Sequence, residues 1–492
     1  MPTDRPNIIL IMTDNQPADL LGCHGNREIH TPHLDAMAAG GIRFDAAYCP
    51  NAMCSPCRAS VWTGLMPSGH GVHTWIDDRL MDEWPADWNA LAEFDTLPEI
   101  LKRSGYATAL IGKYHLGMPV PGHNGIDHWV SMAHGHTLDF HRNRMTVNGD
   151  SFIHEGHSVD FFTERAVDYI DARAGRPDQP FFLLLPYNGP YGHWPSIKGA
   201  PDNRFAHLYE KTQMNSVPRE GVSREAIALY DLRKDESGGG GPDYSAVLQI
   251  PNDLPSLRNY YSQMSLIDDG VGQVFQALAR NRLEENTLVL FTADHGFSLG
   301  HHGFWGHGQA TWPSNMHRIA YNIPLLAWQA GAIRPGQTSP RLLGSLDLFA
   351  TLLDYLGIKG SLGARPNPSR SFAPLLRGGA LDWEDAVFFE QEESRALRTP
   401  EWLYVKRFKQ SPAYPLEDEL YDLRSDADER VNVIGRPECA QARNELDARL
   451  VDFFAEHADP RFDLWTGGRP KSNTSRSWLW EDAWGEDWAP VT

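Results

Sequence analysis

Pro6-Asn-Ile-Ile-Leu-Ile-Met-Thr-Asp14 lies close to the amino terminus, and its reading decides the fold. The apolar run from Ile8 to Met12 is only five residues long and ends next to a threonine and an aspartate. A signal-peptide core needs about 7–15 apolar residues and a membrane span about 20, so neither fits. An unbroken run of this length, rich in isoleucine, suits a strand covered on both faces of a parallel sheet. Four more short runs repeat the pattern: Ala107 to Ile111, Phe181 to Leu185, Thr287 to Phe291 and Ile323 to Trp328. Helical patterns lie between them, at Leu34 to Ala39, Phe161 to Ala172 and Ser265 to Leu283. This alternation predicts an α/β, doubly wound, mainly parallel sheet. Ligands of such sheets gather at the carboxyl ends of the strands. Asp14, Lys113 and Asp294 each follow a predicted strand, which puts three separated segments at one rim.

The chain has 492 residues, more than one core usually supports, so a large domain and a smaller one are expected. After Leu376-Arg-Gly-Gly the sequence shifts to short strand-like runs, Ala386 to Gln391 and Trp402 to Phe408, then a helical pattern from Glu438 to His457. The expected division is an α/β domain over residues 1–376, a small α+β domain over 377–460 and a Trp-rich tail over 461–492. The tail carries Trp465, Trp478, Trp480, Trp484 and Trp488. Rings this large dock either on their own chain, the reading preferred here, or on a neighbouring subunit of a homo-oligomer. The polar stretch from Ile197 to Asn252, with Glu236-Ser-Gly-Gly-Gly-Gly-Pro242 inside it, reads as an insertion near a substrate cleft, the alternative being a surface excursion. A net charge of −20 argues against nucleic acid or an anionic membrane as partner. Five cysteines form no paired framework, and with no leader-like segment the expected compartment is the cytoplasm.

Cys54-Ser-Pro-Cys-Arg-Ala-Ser-Val-Trp-Thr-Gly64 carries the strongest chemical signal. Cys49, Cys54 and Cys57 read as C-x4-C-x2-C, which could serve a redox pair or half a zinc site. No second C-x-x-C completes a zinc site, because Cys23 and Cys439 stand alone. The same residues spell C-x-P-x-R followed by T-G, and this resembles the signature at which type I sulfatases have a cysteine oxidised to Cα-formylglycine. That resemblance implies an alkaline-phosphatase-like fold and a nucleophile at Cys54 made by a formylglycine-generating enzyme. A hydrated aldehyde presents two hydroxyls, one to attack sulfur and the other to expel the sulfate later. Arg58 is then placed to stabilise the charged form.

Further segments extend the resemblance over roughly residues 6 to 435, in family order. Pro6 to Asp14 resembles the family's first metal strand and Leu288-Val-Leu-Phe-Thr-Ala-Asp-His-Gly296 its later one. They imply a divalent cation on Asp14, Asn15, Asp294, His295 and the residue at 54. Hard oxygen donors make calcium the first choice, with magnesium or manganese fitting the same set. Gly112-Lys-Tyr-His-Leu-Gly117 resembles the family's G-K-W-H-L-G, which makes Lys113 a contact for a sulfate oxygen and His115 a base for the second hydroxyl. In Pro186-Tyr-Asn-Gly-Pro-Tyr-Gly-His-Trp-Pro195 the family's substrate histidine position holds Tyr191, and the role passes to His193, with Asn188 as a polar neighbour. Gly300-His-His-Gly-Phe-Trp-Gly-His-Gly308 puts His307 where relatives carry a lysine. An imidazolium there has a conditional charge. His301 and His302 read as supporting or surface groups.

The resemblance implies hydrolysis of a sulfate monoester, with a small sulfated saccharide as the first substrate class. A phosphonate monoester or phosphodiester hydrolase of the same superfamily is the nearest alternative, and a cysteine-based zinc or redox protein the remote one.

Overall fold

The computed structural model describes residues 5–76, 83–176, 178–236, 249–358 and 366–491. Its strands are β1 (Asn7–Asp14), β2 (Ile42–Tyr48), β3 (Ala107–Gly112), β4 (His128–Met132), β5 (Asn143–Val147), β6 (Asp150–His154), β7 (Phe181–Pro190), β8 (Thr287–Ala293), β9 (Ser298–Leu299), β10 (Trp305–Gly306), β11 (Asn322–Trp328), β12 (Gln337–Ser339), β13 (Leu343–Gly344), β14 (Val387–Gln391), β15 (Ser394–Arg398), β16 (Trp402–Arg407) and β17 (Glu419–Asp422).

Eleven strands form one sheet in the order β12-β2-β11-β8-β1-β7-β3-β4-β5-β6, with β13 also on β2. β1 lies at its centre, parallel to both β7 and β8, and β3 runs parallel to β7. Ile8, Leu10 and Met12 face one core, while Ile9 and Ile11 face another across the sheet. That two-sided burial is why the first run carries no polar alternation. Helices Pro32–Gly40, Ser158–Ala174 and Leu254–Arg280 cover the second face, and Cys54–Thr63, Leu97–Arg103 and Asp347–Tyr355 cover the first.

The five predicted strands are present, each within a few residues of its expected ends. The helix expected from Ser265 begins eleven residues earlier, at Leu254, where Asp253 caps Ser256 N at 3.2 Å and Pro255 occupies the first turn. The polar stretch before it is not wholly irregular, because Arg224–Glu236 is helical. Its Gly/Pro-rich residues 237–242 lie outside the described residues. The segment touches the loop that holds His307: Ser223 N donates to Gly303 O at 2.7 Å and Trp312 N to Glu225 O at 3.2 Å.

The smaller carboxyl-terminal part is an antiparallel sheet, β14-β15-β16-β17, backed by the helix Ala440–His457 through Leu446, Leu450 and Phe454. Phe389, Ala396, Leu403 and Val405 join the core of the large sheet, while Leu397, Tyr404 and Leu420 pack with the helix in a core of their own. The tail docks on its own chain. Leu464, Leu479, Trp480 and Trp488 are buried with Phe408, and Trp312, Trp465, Trp478 and Trp484 pack against them. Among the described residues no helix is long and apolar enough to cross a membrane.

Candidate active site

The parallel strands deliver two carboxylates and a lysine to one point. Thr13 pairs with Ala293, so the next residues on β1 and β8, Asp14 and Asp294, emerge side by side, with Asp294 N donating to Thr13 O at 2.9 Å. β3 ends at Gly112 with φ 142°, where a Cβ would lie 2.0 Å from Pro186 O, so only glycine fits. The chain turns there, and Lys113 N reaches Pro186 O at 2.7 Å. The Lys113 ammonium then lies 2.6 Å from Asp14 Oδ2.

Cys54 is the first residue of the helix Cys54–Thr63, all of which is buried. Pro56 is tolerated in the first turn because the amides there have no intrahelical acceptor. Gly64, at φ 72°, ends the helix. Arg58 sits one turn after Cys54 on the same side. Its Nη2 donates to Asp294 Oδ2 at 2.9 Å and to Asp14 Oδ2 at 3.1 Å, and its Nη1 to Lys113 O at 2.8 Å. The Cys54 sulfur is 3.4 Å from Lys113 Nζ, 3.6 Å from Asp14 Oδ1 and 3.5 Å from His295 Nε2.

The donors fit a divalent cation. Asp14, Cys54, Asp294 and His295 bring ligand atoms within 4.8 Å of one another, all of them buried. His295 Nδ1 donates to Gly296 O at 2.8 Å, which leaves the lone pair on Nε2, facing the cluster. Asn15 donates through Nδ2 to Asp14 Oδ1 at 2.5 Å, while its buried Oδ1 has no hydrogen-bond partner. A buried side-chain carbonyl without a partner, beside two carboxylates, adds an oxygen donor of the kind a hard divalent cation takes. Cys49 and Cys57 do not join: their sulfurs face Ala320 O at 3.9 Å and Ser345 Oγ at 3.5 Å. Among the described residues Cys49 and Cys57 join no group of side chains that could hold a metal, while Cys54 joins the one formed with Asp14, Asp294 and His295.

Burial alone would raise the Asp14 carboxyl, but Lys113 and Arg58, aided by His295, hold it well below the usual range. Burial would lower Lys113, and Asp14 reverses this. The Cys54 thiol is pushed far up, first by burial and then by Asp14. An unmodified cysteine at 54 therefore stays protonated at neutral pH and is a poor nucleophile.

The histidines surround this centre. The His307 ring lies 4.8 Å from His295 and 5.2 Å from His193, with Phe297 5.0 Å from His193. Both His193 and His307 are half-buried. The expected imidazolium at 307 is corrected. Burial, reinforced by His295 and His193, lowers its pKa well below the usual value, so the ring is neutral near pH 7. His193 is lowered to about 3 by burial and His295. His115 Nε2 donates to Ile76 O at 2.9 Å, and its ring is 4.9 Å from His136. Asn188 is tied into the scaffold: its Oδ1 accepts from Ser158 Oγ at 3.0 Å and its main-chain O from Thr137 Oγ1 at 2.9 Å. His302 stacks on His317 at 3.7 Å beside Glu429.

Three contributors were not expected. Tyr191, which displaces the family histidine, places its ring 5.1 Å from Lys113 Nζ. Tyr260 donates its hydroxyl to the carbonyl of Asn15 and so fixes that residue from behind. His136 borders His115. Only Tyr191 left a signal in the sequence, through its position after a proline.

A family model described as Sulfatase matches residues 6–358, and one described as N-sulphoglucosamine sulphohydrolase, C-terminal, matches residues 303–456. An N-acetylglucosamine-6-O-sulfatase of Bacteroides thetaiotaomicron is 25% identical, covering 93% of this chain and 88% of its own. The solved structure of BT4656 in complex with its substrate D-glucosamine-2-N,6-O-disulfate superposes with a TM-score of 0.70 at 23% identity, over 92% of this chain and 98% of its own. A phosphonate monoester hydrolase of Agrobacterium radiobacter shares the fold at a TM-score of 0.68 and 20% identity, over 93% of this chain and 97% of its own. With two metal-strand aspartates and the C-x-P-x-R helix meeting at one buried centre, this chain belongs to the sulfatase family and is a sulfuric ester hydrolase.

Proposed function

We propose that the protein cleaves the sulfate monoester of a saccharide, with a 6-O-sulfated glucosamine as the first substrate to test. Position 54 acts as Cα-formylglycine, and Asp14, Asn15, Asp294, His295 and the oxygen at 54 hold one divalent cation, calcium first and magnesium or manganese after it. The observation that carries this reading is the placement of Cys54, at the amino end of a buried helix and within 3.6 Å of both Lys113 Nζ and Asp14 Oδ1. The 6-O-sulfoglucosamine class rests on what the B. thetaiotaomicron relative is named for and on the ligand of the solved neighbour.

A hydrated formylglycine supplies one hydroxyl to attack sulfur and a second to expel the sulfate afterwards. A cation in this donor set polarises a sulfuryl oxygen and lowers the pKa of the attacking hydroxyl. The chain's own groups do the rest. Arg58 occupies Asp14 Oδ2 and Asp294 Oδ2, which fixes both carboxylates. Lys113 places a point charge beside residue 54, and the helix amino terminus adds a favourable potential for an anion. His193 and His307 face the leaving-group side as neutral hydrogen-bond donors. His115, with its proton on Nε2, keeps a basic lone pair on Nδ1.

The charges balance for a monoanionic ester. Arg58 and Lys113 offset Asp14 and Asp294, so a divalent cation leaves two positive charges for an attacking alkoxide and one ester charge. A phosphate monoester dianion would leave one negative charge too many. A phosphonate monoester would not, so it belongs in the substrate test.

With N-acetylglucosamine 6-sulfate, a phenylphosphonate monoester and nitrophenyl phosphate compared, kcat/KM should favour the sugar sulfate by about 100-fold or more, a margin differential binding can supply. A preference for the phosphonate would overturn the substrate reading.

Asp14→Ala should abolish both activity and divalent-cation uptake measured by elemental analysis, and chelation of the wild type should stop turnover reversibly. Normal turnover in a cation-free preparation would remove the metal centre.

His307→Ala should slow the sugar sulfate by about 10²–10³-fold and nitrophenyl sulfate far less, because only the poor leaving group needs a hydrogen bond to the charge developing on its oxygen. Since the pKa of His307 is depressed in the free enzyme, its proton is lost on the acid side of neutrality, and a bound cation depresses it further. The wild-type kcat/KM profile from about pH 6.5 to 8 should therefore show no inflection that disappears in His307→Ala. An inflection that does disappear would restore the imidazolium.

A further inference from the structure

Arg476 lies in the tail, beyond residue 456, where the second family match ends. It is fully buried, and its Nη2 donates to Thr311 O at 2.9 Å and Ser314 Oγ at 3.0 Å. Its guanidinium also sits 5.0 Å from the centre of the Trp312 ring. These three residues belong to the loop that begins at His307. We propose that Arg476 is a positioning residue for His307 and that the Trp-rich tail is thereby a working part of the active site. The argument rests on the role given to His307 above.

The loop has no strong regular structure of its own between Gly308 and Asn315, so its shape depends on what holds it. At one end, the His307 carbonyl accepts from Ala310 N at 2.8 Å and from Asn315 Nδ2 at 3.4 Å. Gly308 is wedged, since a Cβ there would lie 3.0 Å from Tyr321 Oη and 3.2 Å from Ala52 Cβ. At the other end the loop is tied to the carboxyl-terminal part. Ser314 N donates to Glu393 Oε1 at 2.7 Å, and Arg407 Nη1 donates to Ser314 O at 2.6 Å. Arg476 Nε closes the set, 3.4 Å from Glu393 Oε2.

Glu393 belongs to the turn between β14 and β15, and that turn also reaches the nucleophile. Gln391 Nε2 contacts Met53 Sδ at 3.1 Å, directly before Cys54. The neighbouring Glu392 accepts the hydroxyls of Thr474 and Ser475, the two tail residues before Arg476. One buried turn therefore couples three segments: the start of the nucleophile helix, the His307 loop and the tail. Trp480 and Leu479, both fully buried, anchor the tail behind Arg476, so the guanidinium is held from its own side. One nitrogen, Nη2, bonds the carbonyl and the hydroxyl together, while the delocalised charge of the guanidinium faces Glu393 through Nε.

Four enzymes decide the matter: wild type, Arg476→Met, Arg476→Lys and Ser314→Ala, each with the full chain and position 54 converted. Hydrogen–deuterium exchange should rise about tenfold or more across residues 307–315 in Arg476→Met, the scale set by losing buried hydrogen bonds, while the peptide at 54–63 is unchanged. Arg476→Lys should recover part of the protection, and Ser314→Ala should show a smaller rise that supplies the answer if Arg476→Met does not fold. On N-acetylglucosamine 6-sulfate kcat should fall about tenfold with KM little changed, and on nitrophenyl sulfate the loss should be slight. Unchanged exchange in the loop, or a uniform rise across the chain, would overturn the proposal, as would equal kinetic losses on both esters. His307→Ala keeps the two ideas apart. If that variant is fully active while loop exchange still rises in Arg476→Met, the clamp stands and the reading of His307 as a hydrogen-bond donor to the leaving group falls.

Discussion

Two cations and two carboxylates, nearly out of reach of water, govern this molecule. Arg58 is 2% exposed and Lys113 1%, while Asp14 and Asp294 are fully buried. Each charge is tolerable only because a partner lies within about 3 Å, and removing one member of such a set typically costs about 3–5 kcal/mol. The network therefore fixes where four segments of chain must meet. It balances itself in charge but leaves the side-chain carbonyl of Asn15 without a hydrogen-bond partner beside two carboxylates, a donor set that suits a divalent cation.

The sheet exists in the form that satisfies this constraint. β8, β1, β7 and β3 lie side by side in the sheet and run in the same direction, so the residues just past their ends share one rim. The helix Cys54–Thr63 enters from the first face and sets its amino end against that rim, which explains why Cys54 and Arg58 are four residues apart. The carboxyl-terminal sheet and tail complete the opposite wall, through Glu393 and Arg476, around the loop of His307.

Much of this was legible because the physics is local. A parallel central strand must be apolar on both faces, so Ile8 to Met12 and Leu288 to Phe291 announce themselves, and Asp14, Asn15, Lys113, Asp294 and His295 are found by standing just past such runs. Other features depend on partners far away in the chain. β15, Ser-Arg-Ala-Leu-Arg at 394–398, hides two arginines that are buried only because Arg395 meets Glu390 at 2.8 Å and Arg398 meets Glu429. No local pattern betrays that. The protonation of His307 is another case, since its neutrality comes from burial and from two other histidines, His193 and His295, which stand 114 and 12 residues before it. Tyr260 reaches Asn15 from the second turn of the long helix Leu254–Arg280, whose periodicity marks it only as core.

The central claim is that position 54 does chemistry a buried, protonated thiol cannot do. Mass spectrometry of the peptide containing residue 54 tests it most directly, on enzyme co-produced with a formylglycine-generating enzyme and on enzyme made without it. The account predicts loss of sulfur, gain of oxygen and reaction with a hydrazide, in a fraction of molecules that tracks specific activity from one preparation to another. Full activity from a preparation that carries only unmodified cysteine at 54 would contradict it.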